Sequence, residues 1–433
     1  MPISITPQIH PLTLKKQQGQ YFVADIAVSD LVKQYKTPLF VMDEATIRSQ
    51  CQQFTQTLAE HYPNALVLYA SKANSNKGLL SVIGSEGLGV DVVSSGELLT
   101  ALNASIKPER IYFHGNNKTE EELNLAIHHG VTIVVDNLAE LKTLSLKKVK
   151  TPIPVLLRIK PEVQTDTHHH IQTGHYDSKF GITVDELEKA LPYLKFPLQY
   201  QGLHAHIGSQ LLSLEPYLEL IDKMTFLLHK LKTNHGLETP YLNIGGGFGV
   251  AYLNGQKPLS IQESIKKMSE KVRQQCKKLG LALPTLLLEP GRCLVANAGI
   301  TLYTVGFIKP IAHEKTYLFV DGGMADNPRP IMYGSDYSVD LNKTASAHRN
   351  YDIAGKYCES GDILVKNKQL PEAESGDILL VFATGAYNYA MASRYNRSLI
   401  PAMVMVNQGQ SRLLVRRETY EDVLALDVNL PYA

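Results

Sequence analysis

Lys72 closes an apolar, β-prone run, Leu66-Val67-Leu68-Tyr69-Ala70-Ser71. An amine at the carboxyl end of a buried strand, partly desolvated, loses its preference for the charged form and becomes a candidate Schiff-base former. Taken alone, such a lysine is more commonly a solvated helix-entry residue. Other apolar runs in the chain also end in reactive side chains. Asp91 and His114 close two of them, and Arg158 lies on a third. A fourth runs into His204-Ala205-His206-Ile207-Gly208-Ser209, a fifth into Gly245-Gly246-Gly247, and a sixth into Glu289-Pro290-Gly291-Arg292. Residues two apart on a strand share a face, so His204 and His206 can point together. Packed core histidines would show the same spacing, and a metal reading is weaker because no further carboxylate or thiol lies close by. Three glycines expose backbone amides and admit a phosphate closely, although a tight loop would need the same residues. Glu289 and Arg292 offer a carboxylate and a guanidinium to a ligand, or an ion pair to each other.

The elements that must position these groups repeat one unit. Strand-like segments occur at Leu66–Ala70, Leu88–Val92, Arg110–Phe113, Thr132–Val135, Val155–Ile159, Tyr200–His206, Tyr241–Ile244 and Thr285–Leu288. Amphipathic stretches such as Glu120–His128 and Leu214–Leu231 separate them, with apolar residues at three- and four-residue spacing. Eight strands alternating with helices over roughly 220 residues match a (β/α)8 barrel, whose active sites gather at the carboxyl ends of the strands. A doubly wound sheet is the competing architecture and seldom reaches eight strict repeats. After Gly291 the texture changes to strands joined by glycine, proline and asparagine turns: Gly299–Ile308, Thr316–Val320, Asp377–Phe382, Ala402–Val406 and Ser411–Arg416. The expected fold class is therefore α/β, a (β/α)8 barrel over residues 41–291 plus a mainly antiparallel β domain over 292–433. The N-terminal segment, residues 1–40, is expected to join the β domain.

Bulk properties narrow the function. The formal net charge of +1 on 433 residues supplies no field for a polyanion, so nucleic acid is not an expected partner. The four cysteines, Cys51, Cys276, Cys293 and Cys358, show no zinc spacing and suit a reducing compartment. The N-terminal stretch lacks a signal-peptide pattern, and no segment is long enough to span a bilayer. A cytoplasmic enzyme, without a membrane or a resident metal, is the expectation.

Lysine, histidine, triple glycine and Glu-x-x-Arg at one end of one barrel converge on pyridoxal 5'-phosphate. An amine can form the imine, an imidazole can stack on the ring, amides can hold the phosphate, and a carboxylate can keep the pyridine nitrogen protonated. The protonated ring then acts as an electron sink for a carbanion at the substrate α-carbon.

These strings resemble the alanine-racemase-like, barrel-type pyridoxal-phosphate decarboxylases, and within them the diaminopimelate decarboxylase group. Tyr69-Ala70-Ser71-Lys72-Ala73-Asn74, Gly202-Leu203-His204-Ala205-His206-Ile207-Gly208-Ser209-Gln210, Gly245-Gly246-Gly247-Phe248-Gly249 and Glu289-Pro290-Gly291-Arg292 carry the resemblance. Asp177-Ser178-Lys179-Phe180-Gly181, the stretch from Asp321 to Pro330, Cys358-Glu359-Ser360-Gly361-Asp362 and Gly385-Ala386-Tyr387 support it. The resemblance implies decarboxylation of meso-2,6-diaminopimelate at its D-centre to L-lysine and CO2, the last step of lysine biosynthesis. It implies that Lys72 carries the cofactor as a Schiff base, that His206 stacks on the ring and that Cys358 protonates the carbanion. Cofactor contacts would come from Asp91, Ser209, Gly245, Gly246, Gly247, Glu289, Gly291, Arg292 and Tyr387. Arg292, Arg329, Tyr333, Glu359 and Tyr387 would bind the substrate. A homodimer with shared sites is also implied.

A distal centre bearing both carboxylate and ammonium needs a cation and an anion, which Arg329 and Glu359 supply. Cys358 beside Ser360-Gly361-Asp362 reads as a partly exposed loop thiol, although buried structural thiols are commoner. Two alternatives stay open: a decarboxylase of carboxynorspermidine, arginine or ornithine, and a non-catalytic pyridoxal-phosphate carrier. The segment Ser393-Arg394-Tyr395-Asn396 departs from the family pattern, and Arg394 is expected to add a charge near the site mouth. His168-His169-His170 reads as solvated surface.

Overall fold

The computed structural model describes residues 9–161, 163, 178–311, 315–344 and 347–430. The His168–His170 triplet and Asp177 lie outside them. Two compact units are present: Arg48–Val250 with Lys257–Leu294, and Met1–Ile47 with Ala251–Gln256 and Val295–Ala433.

The first unit is a closed barrel of eight parallel strands in chain order. They are Ala65–Ala70, Gly89–Val92, Ile111–Phe113, Thr132–Val135, Ile153–Arg158, Leu198–His204, Tyr241–Asn243 and Thr285–Leu288. Each lies within two residues of its sequence expectation, because strands covered on both sides read as nearly continuous apolar runs. The eighth strand pairs with the first, Leu286 opposite Ala65 and Leu288 opposite Val67, which closes the ring. Ala70 N–H donating to Pro290 O at 3.0 Å extends that closure to the carboxyl rim. Leu68, Tyr112, Val134, Leu156 and Leu287 fill the interior as one apolar cluster. Several of the helices between strands start at side-chain caps. Thr119 and Thr183 form capping boxes with Glu122 and Glu186, and Ser94, Asn76 and Asn137 cap singly. Among the described residues, no helix is long and apolar enough to cross a membrane.

The second unit is built around the long strand Gly299–Pro310. It pairs antiparallel with Leu39–Asp43, Thr316–Val320 and Ile378–Phe382. Two pairings in the same sheet are parallel, Leu39–Asp43 with Ala402–Asn407 and Thr316–Val320 with His348–Ala354. The sheet is therefore mixed with an antiparallel majority. Alternate residues on these strands (Leu39, Val41, Ile300, Leu302, Leu380, Val404 and Val406) form one buried face. Val28 and Leu31 of helix Val28–Tyr35 pack onto that face. The short segment Ala251–Gln256 interrupts the barrel sequence yet belongs to this unit.

Candidate active site

At the carboxyl rim of the barrel the interior turns from apolar to polar. Asp91 lies on the second strand, His114 follows the third, Arg158 and His204 end the fifth and sixth, Asn243 ends the seventh and Glu289 follows the eighth. All six are buried. Glu289 is their hub. Its Oε1 lies 2.9 Å from His114 Nε2 and accepts a 2.6 Å bond from Asn243 Nδ2, and its Oε2 lies 3.0 Å from His204 Nε2. The two imidazoles meet edge to face, with centroids 4.8 Å apart. Burial pushes the Glu289 carboxyl up, but His114 and His204 beside it outweigh burial and hold it well below the usual carboxylate range. Burial pushes the His204 imidazole down to about 4, so it is neutral. The weak metal reading had assumed that His204 lacked a nearby carboxylate, and this assumption is corrected: Glu289 touches it. Sequence separation hid the contact, because strands six and eight meet only in the closed barrel. One donor atom each from His114, His204 and Glu289 falls within 4.8 Å of the others.

Lys72 sits in the 3₁₀ turn Ser71–Ala73 directly after the first strand. Ser71, Ala73 and Asn74 are buried, whereas Lys72 is exposed. The turn buries its neighbours and leaves Lys72 close enough to Asp91 and His206 to act on both. Gly291 packs under this turn, where a Cβ would lie 2.9 Å from Ala70 Cβ and 3.4 Å from Ala73 Cβ. Burial pushes the Asp91 carboxyl up to about 6, against the opposing pull of His114 and Lys72. Burial and the Lys72 ammonium together push His206 well below its ordinary value.

The triple glycine serves the backbone first. A Cβ at Gly246 would lie 1.9 Å from Glu289 O, and one at Gly247 2.3 Å from Gly208 O. Gly245 N–H donates to Asn243 Oδ1 at 2.9 Å, and Gly246 N–H donates to His206 Nδ1 at 3.2 Å. Two of the three amides expected to face a phosphate therefore bond within the chain, and the close approach of strands six, seven and eight is what excludes side chains. Arg292 is buried and its Nη2 donates to Ser209 Oγ at 3.1 Å.

Two pairings at the rim had no sequence signal. Lys118 Nζ donates to Glu140 Oε1 at 2.6 Å and to the carbonyls of Gly115 and Val134. Arg158 approaches Asp136 at 3.5 Å and lies over the Phe180 ring at 4.4 Å.

The remaining expected residues lie on the second unit. Arg329 opens helix Arg329–Tyr333 and is 7% exposed, so it is not a surface arginine. Its Nη1 donates to Tyr337 Oη at 2.7 Å and to Tyr252 Oη at 3.0 Å, and the two rings flank the guanidinium. No acidic side chain pairs with it among the described residues. Tyr252 and Tyr337 were missed in sequence because they lie far from Arg329 or carry no motif. Tyr333 is exposed, and Tyr387 is half-buried with φ +61°. Cys358 is exposed, as its turn-forming neighbours indicated, whereas Cys51, Cys276 and Cys293 are buried. Tyr395 Oη donates to Glu359 Oε1, and Cys358 N–H approaches Asn396 Oδ1 at 3.5 Å. Arg394 Nε and Nη2 form a paired contact with Glu418, at 3.1 and 2.7 Å to Oε1, on the exposed surface of its own unit.

Residues 44–296 match the family described as pyridoxal-dependent decarboxylase, pyridoxal binding domain. The chain is 44% identical over 433 residues to the diaminopimelate decarboxylase of Synechocystis sp., covering 96% of this chain and 92% of that one. It is 41% identical over 429 residues to the diaminopimelate decarboxylase of Bacillus subtilis, covering 97% and 98%. The crystal structure of diaminopimelate decarboxylase from M. jannaschii in complex with L-lysine matches with a TM-score of 0.90 at 32% identity, covering 97% and 98%. The chain belongs to the diaminopimelate decarboxylase family of pyridoxal-dependent decarboxylases.

Proposed function

We propose that this chain decarboxylates meso-2,6-diaminopimelate at its D-centre, giving L-lysine and CO2 as the final step of lysine biosynthesis. Relatives similar over nearly their full length are named diaminopimelate decarboxylases. The observation that carries the substrate choice is Arg329, a buried guanidinium held by two tyrosine hydroxyls without an acidic partner among the described residues. Such a cation suits a substrate with a distal carboxylate, which ornithine lacks.

The donor set at the barrel rim fits pyridoxal phosphate: an exposed amine, an imidazole, a hydroxyl paired with a guanidinium, and an ionised carboxylate. When bound, that cofactor supplies the electron sink for the carbanion left by CO2. Lys72 would hold it covalently, His206 would lie against its ring, and Glu289 would face the ring nitrogen. Ser209, Arg292, Gly245, Gly246, Gly247 and Tyr387 would serve the phosphate, with Asp91 and Gly291 shaping the lysine turn. Arg329, Arg292, Tyr333 and Tyr387 would orient the distal carboxylate, and Glu359 the distal ammonium. Cys358, exposed on its loop, would deliver a proton to the α-carbon. In a homodimer the Cys358–Glu359 loop of one subunit would complete the site of the other. A cytoplasmic location fits thiols that are free rather than paired.

Lys72→Ala tests the core of this reading. The variant should lose both the cofactor absorption near the visible edge and CO2 release. Full turnover by it would refute the Schiff-base role.

A further inference from the structure

We propose that His114 and His204 are positioning residues for Glu289: each sets its Nε2 against one carboxylate oxygen, and together they fix its plane and keep it ionised toward the cofactor's ring nitrogen. The proposal deepens the functional reading above and rests on it for the identity of the group that Glu289 faces.

The geometry is specific. Each oxygen of Glu289 has its own imidazole, at 2.9 and 3.0 Å, from strands on different sides of the barrel. Asn243 Nδ2 donates to Oε1, and its orientation is set by Gly245 N–H, which donates to its Oδ1. The His204 tautomer follows from its other nitrogen. Nδ1 is buried and has no hydrogen-bond partner among the described residues. A buried N–H without an acceptor is a costlier arrangement than a bare lone pair, and a second buried charge is costlier still, so the proton sits on Nε2 and the ring is neutral. Two imidazolium rings 4.8 Å apart in this interior would repel each other, so the two histidines are not charged together.

The ionised Glu289 carboxylate is the charge this cluster offers to one ring N–H⁺. The charged and titratable groups around it are Asp91 from the second strand, Tyr112 from the third, Arg158 from the fifth and His206 beyond the sixth. Burial alone favours a protonated, neutral Glu289, and His114 and His204 oppose it. Removing a donor should raise the pH below which Glu289 becomes neutral and stops holding the ring proton.

The experiment uses purified holoenzyme with His204→Asn, His204→Gln and His114→Asn. Asparagine keeps the site polar but ends short of Glu289, whereas the glutamine amide reaches the position of Nε2. Cofactor absorption, the rate of cofactor loss and kcat are followed from pH 5 to 9. Both Asn variants should show an acid limb moved to higher pH by about one unit in spectrum and kcat alike. Cofactor loss should be roughly tenfold faster, and His204→Gln should recover most of both changes. Three results would overturn the proposal. One is wild-type titration in both Asn variants, and another is a uniform fall in kcat at every pH with an unchanged spectrum. The third is one zinc ion per chain bound by the wild type and lost in His204→Gln, because the nitrogens would then be ligands. Should diaminopimelate not be turned over while the spectral shifts occur as described, the substrate assignment fails and the histidine clamp stands.

Discussion

Replacing Arg329 with methionine should separate function from stability. The guanidinium is buried, donates to two neutral hydroxyls at 2.7 and 3.0 Å and has no acidic partner among the described residues. Taking an unpaired cation out of water costs several kcal/mol even after relaxation. Two hydrogen bonds from a charged donor return about 1.5–3 kcal/mol each, and two flanking rings return about 0.5–2 kcal/mol more. These contributions nearly cancel, so a methionine of similar reach should leave the fold neutral to ~2 kcal/mol more stable. Function should move the other way. Losing a paired contact to a distal carboxylate removes about 3–6 kcal/mol, a fall of roughly 10²–10⁴-fold in kcat/KM on diaminopimelate. Urea unfolding of the holoenzyme and steady-state CO2 release measure the two quantities. A variant that loses more than ~3 kcal/mol of stability while kcat/KM drops less than tenfold would refute the reasoning and make Arg329 a structural cation.

Three other expectations follow from contacts already described. Gly246→Ala places a Cβ 1.9 Å from the Glu289 carbonyl oxygen, against backbone that cannot rotate away. It should cost ~3 kcal/mol or more and accelerate cofactor loss, both readable in a thermal-unfolding series. Asp326 is buried, and burial raises its carboxyl to about 7 despite the Tyr303 hydroxyl bonded to it. The folded protein thus binds a proton that the unfolded chain releases near the ordinary value of 3.8, and the resulting cost grows from pH 3.8 to about 7 and is complete above it. Asp326→Asn should therefore be more stable than the parent at pH 8, by up to ~4 kcal/mol, with the advantage vanishing at pH 4 in paired melts. Arg394→Ala breaks a surface contact with Glu418 and should leave KM for diaminopimelate unchanged, which substrate-saturation curves would check.

The barrel was legible because its strands are covered on both faces and its helices announce themselves by cap and period. The rim residues expected from strand ends lie at or a few residues past those ends, since that placement depends only on local alternation of strand and turn. Partnerships across the ring were not legible. His114 and Glu289 are far apart in sequence and meet only because strands three and eight share one interior. Tyr252 was invisible for a related reason: its short segment leaves the barrel sequence to pack with the unit that carries Arg329. The partner of Arg394 was not legible either, because a charge near a motif says nothing about its partner, and Glu418, 24 residues on, takes it up. The exposure of Lys72 was hidden by its apolar flank, which describes the strand and not the turn after it.

CO2 release by the pure holoenzyme from meso-diaminopimelate, LL-diaminopimelate and ornithine bears most directly on the assignment. Turnover of the meso compound with L-lysine as product, and at least a hundredfold less from the other two, is the expected result. Comparable or faster release from ornithine would contradict it.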